Sequence, residues 1–325
     1  MSSAPLPSKP YPGLVLHIGM PKTGTTTLQS LLFSCHSGID YLGKARAYPG
    51  QMNCRSQEIY HLLQPLLWNV GEPWDPTALR RRWEAVLQAR DPSKVLVGSW
   101  EGLGNSLLAD YWEALRRVKA TFGRCRLLIC LRNPITLVPS MYLQALRGRH
   151  SASHRNVLGN HWFLDIEQWI ARWRDTGGLD RLLSYAERIR GSTELLGAEN
   201  VLVLLYEDLC QDQDQFVRAI CQFLEVDEAE GLEHVQQGHL HTRISQDQIE
   251  FLRRVERSFV WRWWLNRKSP KSQRQVLDDH AGDGAPARME LPPQCVGVVA
   301  DATREGNRWL KEHYRLDLEK YQYPL

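Results

Sequence analysis

Short apolar, β-branched runs that alternate with stretches of helical periodicity predict an α/β fold of three layers, a central parallel sheet flanked by helices. Two observations carry this expectation. The run Leu14-Val15-Leu16-His17-Ile18 ends at Gly19 and passes through a tight glycine loop into a helix beginning near Thr26. Four further runs, at residues 39–42, 95–98, 126–131 and 201–205, are each short enough to be buried strands.

Taken in order, helical periodicity fills the intervals at residues 77–89, 105–121, 135–147, 164–174, 180–190 and 214–224. A longer helix follows at 245–265, with Ile249, Leu252, Val255, Phe259, Val260 and Trp263 on one face. Lys, Ser, Asp, Gly, Pro and Gln then accumulate over 266–293, which reads as a mobile loop, before a last helix at about 296–314. Residues 1–12 read as a flexible tail and 13–325 as one domain.

Composition narrows the function. Hydrophobic residues make up 43% and charged residues 24%, an ordinary balance for a globular chain, and a formal net charge of +3 gives no global field for nucleic acid. The seven cysteines form no C-x-x-C pair and read as reduced thiols of a cytoplasmic protein. No run approaches the roughly 18 apolar residues of a membrane helix. The N-terminus carries no apolar signal segment, so no secretion is expected.

The loop Gly19-Met20-Pro21-Lys22-Thr23-Gly24-Thr25-Thr26 nearly matches the G-x-x-x-x-G-K-[ST] loop of nucleotide triphosphatases. The lysine, however, lies two positions before the second glycine, and Thr-Thr stands where Lys-[ST] is required. Such a loop can grip one phosphate through backbone N–H groups and hydroxyls, but it lacks the lysine that ATP's outer phosphates need. Residues 21–26 resemble, position by position, the P-K-[ST]-G-[ST]-[ST] loop of the sulfotransferases that use 3′-phosphoadenosine 5′-phosphosulfate (PAPS). A second element strengthens the resemblance. The strand at 126–131 ends in Arg132-Asn133-Pro134, and Ser140 follows Arg132 by eight residues, as in the family's 3′-phosphate site. A third is Tyr206-Glu207-Asp208-Leu209, which is similar to the family's Y-E-D-[LM] segment.

The resemblance implies a P-loop-like fold and roles for single residues. Lys22, Thr23, Gly24, Thr25, Thr26 and Thr27 would hold the 5′-phosphosulfate, and Arg132 with Ser140 the 3′-phosphate. Sulfuryl transfer needs a base for the acceptor proton and a cation for the departing phosphate. The family places a His or Glu after the strand that here is 95–98, and Glu101 stands there, with Lys22 as the cation. Thr27 stands where small-molecule sulfotransferases carry a Trp that stacks on adenine. This points toward bacterial or carbohydrate-type relatives and leaves the adenine contact unassigned. Lys44 could reach the sulfuryl group or an anionic acceptor. His17 reads as a core residue rather than a base, whereas His239 and His241 could line the mouth of the site. No His, Asp or Glu set has metal-ligand spacing, so no metal is expected.

The expected acceptor is a hydroxyl, or an amine, on a glycan, glycolipid or small natural product. A nucleotide-dependent kinase and a non-catalytic nucleotide- or glycan-binding module are the alternatives, and the missing GK[ST] weighs against the first. Residues 253–274 hold eight Lys or Arg and one acid, Glu256, interleaved with Trp261, Trp263 and Trp264. They read as a core helix with a solvated basic face, or as a wall for an anionic or glycan acceptor or a membrane surface.

Overall fold

The computed structural model describes residues 13–44, 53–67, 69–148, 157–236, 244–282 and 285–325. Residues 1–12 and the histidines His239 and His241 lie outside them. The chain divides into two compact units, Met1–Leu131 with Glu187–His239, and Arg132–Ala186 with Leu240–Leu325.

The first unit carries one six-stranded sheet. Its strands are β1 (Leu14–Gly19), β2 (Ile39–Lys44), β3 (Asn53–Cys54), β4 (Val95–Ser99), β5 (Cys125–Leu131) and β6 (Val201–Leu205), in the order β3-β2-β4-β1-β5-β6. All neighbours run parallel except β3, which pairs antiparallel with the end of β2. The period-2 alternation of side chains explains the layers. Val15, Val97, Leu128 and Cys130 point to one face, where Leu28, Leu32, Phe33, Phe216, Ile220 and Leu224 cover them. On the other side the helices Gln57–Leu67, Pro76–Gln88 and Leu108–Phe122 pack on one another, the last also on β5. There Trp83, fully buried, meets the Phe122 ring at 5.1 Å.

β1 lies between β4 and β5, where the chain crosses from one half of the sheet to the other, and at such switch points α/β sheets commonly bind ligands beyond the carboxyl ends of the strands. Register does the rest. Parallel pairing sets His17 of β1 and Lys44 of β2 on either side of Ser99 in β4.

The second unit is built of helices, among them Pro134–Arg147, Ile166–Asp175, Gln246–Arg257, Phe259–Asn266, Pro270–Asp279 and Pro293–Tyr314. Here two expectations need correction. The single helix expected over 245–265 is two helices broken at Ser258, whose backbone turns extended (φ −108°, ψ 115°). Its N–H closes the first helix on the Val255 carbonyl, and its hydroxyl caps the second by accepting from the Trp261 N–H. The stretch 266–293, expected as a mobile loop, holds the helix Pro270–Asp279. Ser269 caps it, accepting from the Ser272 N–H, and Pro270 occupies its first turn, where a missing N–H does no harm. The closing helix falls where expected and begins three residues earlier, at Pro293.

Candidate active site

The loop after β1 is shaped by two left-handed residues, Lys22 (φ 65°) and Gly24 (φ 76°). For Lys22 this backbone is strained by about 1–2 kcal/mol, so the surrounding contacts must impose it. They do so from three sides. The Met20 N–H donates to the Cys130 carbonyl of β5 at 3.2 Å, and the buried Thr23 hydroxyl donates back to the Met20 carbonyl at 2.5 Å. Gly24 receives the third constraint. A Cβ there would lie 2.4 Å from Leu209 Cδ2, so the helix Tyr206–Gln211 presses directly on the loop. The Tyr206-Glu207-Asp208-Leu209 segment thus supports the loop after β1 through Leu209 and the Tyr206 ring.

The helix then starts at once. Thr27 and Leu28 donate to the Gly24 carbonyl at 3.0 and 3.3 Å, and Thr25–Thr27 runs into a π-helical segment, Leu28–Phe33. Helix starts leave N–H donors unsatisfied and favour anions. Here that start carries three hydroxyls: Thr25 buried, Thr27 half-buried and Thr26 exposed.

The widened π turn faces Gln29 across to β4, and insertions of this kind recur at functional sites. Its amide donates to Ser99 Oγ at 2.8 Å and to Glu101 Oε1 at 3.0 Å. Lys44 also forms an ion pair with Glu101 Oε1. Burial pushes the Glu101 carboxyl up. The Lys44 charge, with hydrogen bonds from Lys44, Thr25 and Gln29, outweighs it and holds the group below the usual carboxylate range. Glu101 is an anion fixed in place, beside the loop that carries Thr25.

His17 lies wholly buried beneath this cluster, with Nδ1 2.7 Å from Ser99 Oγ and its ring edge-on to Phe33 at 5.2 Å. Desolvation drives its pKa down to about 4, so it is neutral near pH 7 and unfit to neutralise an anion. Its place in the core agrees with the sequence reading. Sequence reasoning gave no role to Gln29 and Ser99. Their only signals were an amide inside the apolar run Leu28–Phe33 and a serine ending a strand.

In the second unit, Arg132 and Ser140 meet as their spacing predicted. Arg132 Nη1 donates to Ser140 Oγ at 3.3 Å, and Nε donates to Thr136 Oγ1 at 3.1 Å. Two turns of the helix Pro134–Arg147 carry both hydroxyls on one face, and Asn133 caps it by accepting from the Ile135 N–H. The Asn133 amide in turn donates to the Tyr321 and Gln322 carbonyls at 2.8 and 3.1 Å, which ties the chain's end to this turn. Thr136 is a further hydroxyl that sequence reading passed over, although it sits one turn before Ser140.

The donor sets suit phosphate: backbone amides, hydroxyls and a lysine at one, a planar guanidinium with hydroxyls at the other. A parallel α/β sheet whose first strand runs through a glycine loop into a helix is a frame that many phosphate-binding enzymes share. The chain belongs to the sulfotransferase family, whose model matches residues 15–230, about two-thirds of its length. It is a PAPS-dependent sulfotransferase. A sulfotransferase from Alicyclobacillus acidocaldarius has a similar fold, with 18% identity, a TM-score of 0.52 and 96% of this chain covering 98% of that one. A sulfotransferase domain of the curacin biosynthetic pathway aligns at 16% identity and a TM-score of 0.44, over 85% of this chain and 99% of that one. Mouse sulfotransferase SULT7A1, complexed with PAP, aligns at 14% identity and 0.44, over 94% and 89%. Among curated protein sequences, none matches. Among the described residues, no helix is long and apolar enough to cross a membrane.

Proposed function

We propose that this protein moves the sulfuryl group of PAPS to a hydroxyl of a glycan, glycolipid or small natural product by single in-line displacement. Lys22, Thr23, Gly24, Thr25, Thr26 and Thr27 take the 5′-phosphosulfate, and Arg132 with Ser140 takes the 3′-phosphate. The acceptor oxygen forms its bond to sulfur as the bond from sulfur to the phosphate oxygen breaks. The acceptor proton passes to Glu101, and adenosine 3′,5′-bisphosphate departs with its new charge met by Lys22.

One observation carries this reading: Glu101 is held as a carboxylate by Lys44 and Gln29 immediately beside the helix that the phosphate loop opens. A carboxylate so placed is ionised at neutral pH and ready to accept a proton. Thr27, where small-molecule sulfotransferases carry a stacking Trp, supports an acceptor of the glycan type.

Adenosine 3′,5′-bisphosphate should raise the melting temperature more than ATP with magnesium does; the reverse ranking would sink the donor assignment. A mass-spectrometric screen with PAPS identifies the acceptor by the gain of one SO3 group. With that acceptor, Glu101→Gln should lower kcat by about 10²–10⁴ while leaving bisphosphate binding intact. Lys44→Met removes the charge that depresses the Glu101 pKa. The acid limb of kcat/KM should then move to higher pH, and an unmoved limb would discard Glu101 as the base.

A further inference from the structure

The second unit displays a surface that sulfuryl transfer does not explain. In the helix Phe259–Asn266 only Leu265 is buried. Phe259 is 73% exposed, Val260 71%, Trp261 43%, Trp263 48% and Trp264 39%. Globular chains expose single apolar side chains routinely, but five large ones within two turns form a patch that calls for a partner. In the preceding helix, by contrast, Ile249, Leu252 and Val255 are buried to 1% or less. The break at Ser258 lets one helix pack and turns the next outward.

The patch is rigid and basic. Trp261 meets Phe251 edge-on at 5.8 Å and Trp264 at 5.4 Å, so the indoles brace one another. The Arg267 guanidinium lies 3.9 Å from the Trp263 ring centre, and the Lys268 ammonium 3.9 Å from that of Trp264. Over 253–274 there are eight Lys or Arg against one acid, Glu256. Glu256 is engaged inward, accepting from the Trp162 and Phe163 N–H groups at 2.6 and 3.3 Å and pairing with His161 at 2.9 Å. Arg254, Arg257 and Lys271, on the helices before and after this one, are exposed, and the exposed Arg253 lies 5.0 Å from the Phe163 ring centre.

We propose that this helix is a membrane-docking surface, seating Phe259, Val260 and the tryptophans in the headgroup region of an anionic bilayer. Three physical arguments select that occupant. Trp and Phe carried on a short amphipathic helix, with Arg and Lys beside them, match the amphipathic chemistry of the water–lipid boundary. The cations need negative charge opposite them, which a neutral glycan does not supply and anionic headgroups do. A second copy meeting this face across a twofold axis would set the same Arg and Lys against themselves.

The test is co-sedimentation of the full chain with vesicles of phosphatidylcholine alone and with about one-third phosphatidylglycerol. Partitioning to the anionic vesicles should be at least about tenfold stronger, should fall as salt is raised, and should shift tryptophan emission to the blue. The variant Phe259→Ser/Trp263→Ser/Trp264→Ser should lose about tenfold or more of that partitioning, with its melting temperature checked in the absence of lipid. The variant Arg254→Gln/Arg257→Gln/Lys271→Gln leaves the apolar patch whole and should erase the preference for anionic vesicles. It keeps the test decisive even if the serine variant unfolds. Equal partitioning to both vesicle types, or to neither, overturns the proposal. So does a concentration-dependent dimer in sedimentation equilibrium that the serine variant dissolves while vesicles remain unbound.

Discussion

The two anion sites proposed for this chain differ in what builds them, and the contrast is between backbone and side chain. After β1 the grip is a loop whose shape is set by Lys22 and Gly24 in left-handed backbone and by Leu209 pressing on Gly24. After β5 the grip is one guanidinium, Arg132, steadied by Thr136 and Ser140 on an ordinary capped helix. The first is preorganised by the fold, so ligand binding orders little that is not already ordered. The second depends on a long side chain, and the hydroxyls reduce the rotamer freedom it would otherwise lose. A backbone grip is therefore sensitive to any added Cβ and tolerant of side-chain truncation. A side-chain grip has the opposite sensitivities.

The largest effect is expected at Gly19. A Cβ there would sit 1.9 Å from Thr25 Cγ2 and 3.2 Å from Thr25 Cβ, so even a turned threonine side chain stays in tight contact. Gly19→Ala must move the loop or Thr25, an overpacking cost of about 1–3 kcal/mol. Calorimetric titration with adenosine 3′,5′-bisphosphate should show affinity reduced by up to about a hundredfold. Thr26→Ala, which trims an exposed hydroxyl from the same loop, should change affinity far less. If Thr26→Ala proves the more damaging, the loop holds its anion through side chains and the contrast fails.

The geometry of the two proposed grips was legible in the sequence for the same reason: each is built from residues close along the chain. Seven consecutive residues spell the β1 loop, and Arg132 and Ser140 are two helical turns apart. The partners of Glu101 were harder to read. Gln29 reaches it through a π-helical segment, and Lys44 through a register between β2 and β4, and neither is visible as a spacing. The helix Pro270–Asp279 escaped because its polar composition outweighed a plain start signal, Ser269 before Pro270. Phe259, Val260 and Trp263 were assigned to a buried face because their period continues smoothly from Val255. Only the capping geometry of Ser258 interrupts it, and a serine inside a periodic run is weak evidence of a break.

Acid sharpens the contrast. Beneath the β1 cluster lies His17, buried and neutral, whereas the buried polar anchor beside Arg132 is Asn133, which does not titrate. The folded-state pKa of His17, about 4, lies below the ordinary 6.5, so the unfolded chain binds this proton first. Its contribution to stability is full above pH 6.5 and is lost as pH falls toward 4, about 3 kcal/mol in all. Urea unfolding should show that loss in the wild type. His17→Gln, which cannot take up a proton, should lose less over the same range. The difference between the two proteins isolates the histidine from the carboxylates, which titrate in both. Equal losses would place the acid-sensitive contact elsewhere.

The smallest effect is expected at Ser140 in the second grip, and its rank below Arg132 tests whether Arg132 acts alone. A hydrogen bond to a charged group contributes about 1.5–3 kcal/mol, so Arg132→Ala should weaken adenosine 3′,5′-bisphosphate binding by roughly ten- to a hundredfold. Arg132→Lys keeps the charge and loses the fork that spans Thr136 and Ser140, and should recover only part of this. Ser140→Ala removes one hydroxyl that receives from Arg132 Nη1 at 3.3 Å, worth about 0.5–1.5 kcal/mol, and should weaken binding by up to about tenfold. In the double variant the penalties should not add. If Ser140 acts mainly by holding the guanidinium still, it has little left to contribute once Arg132 is gone. Full additivity would instead mean that Ser140 touches the phosphate on its own account, and the helix face would count as a second, independent donor.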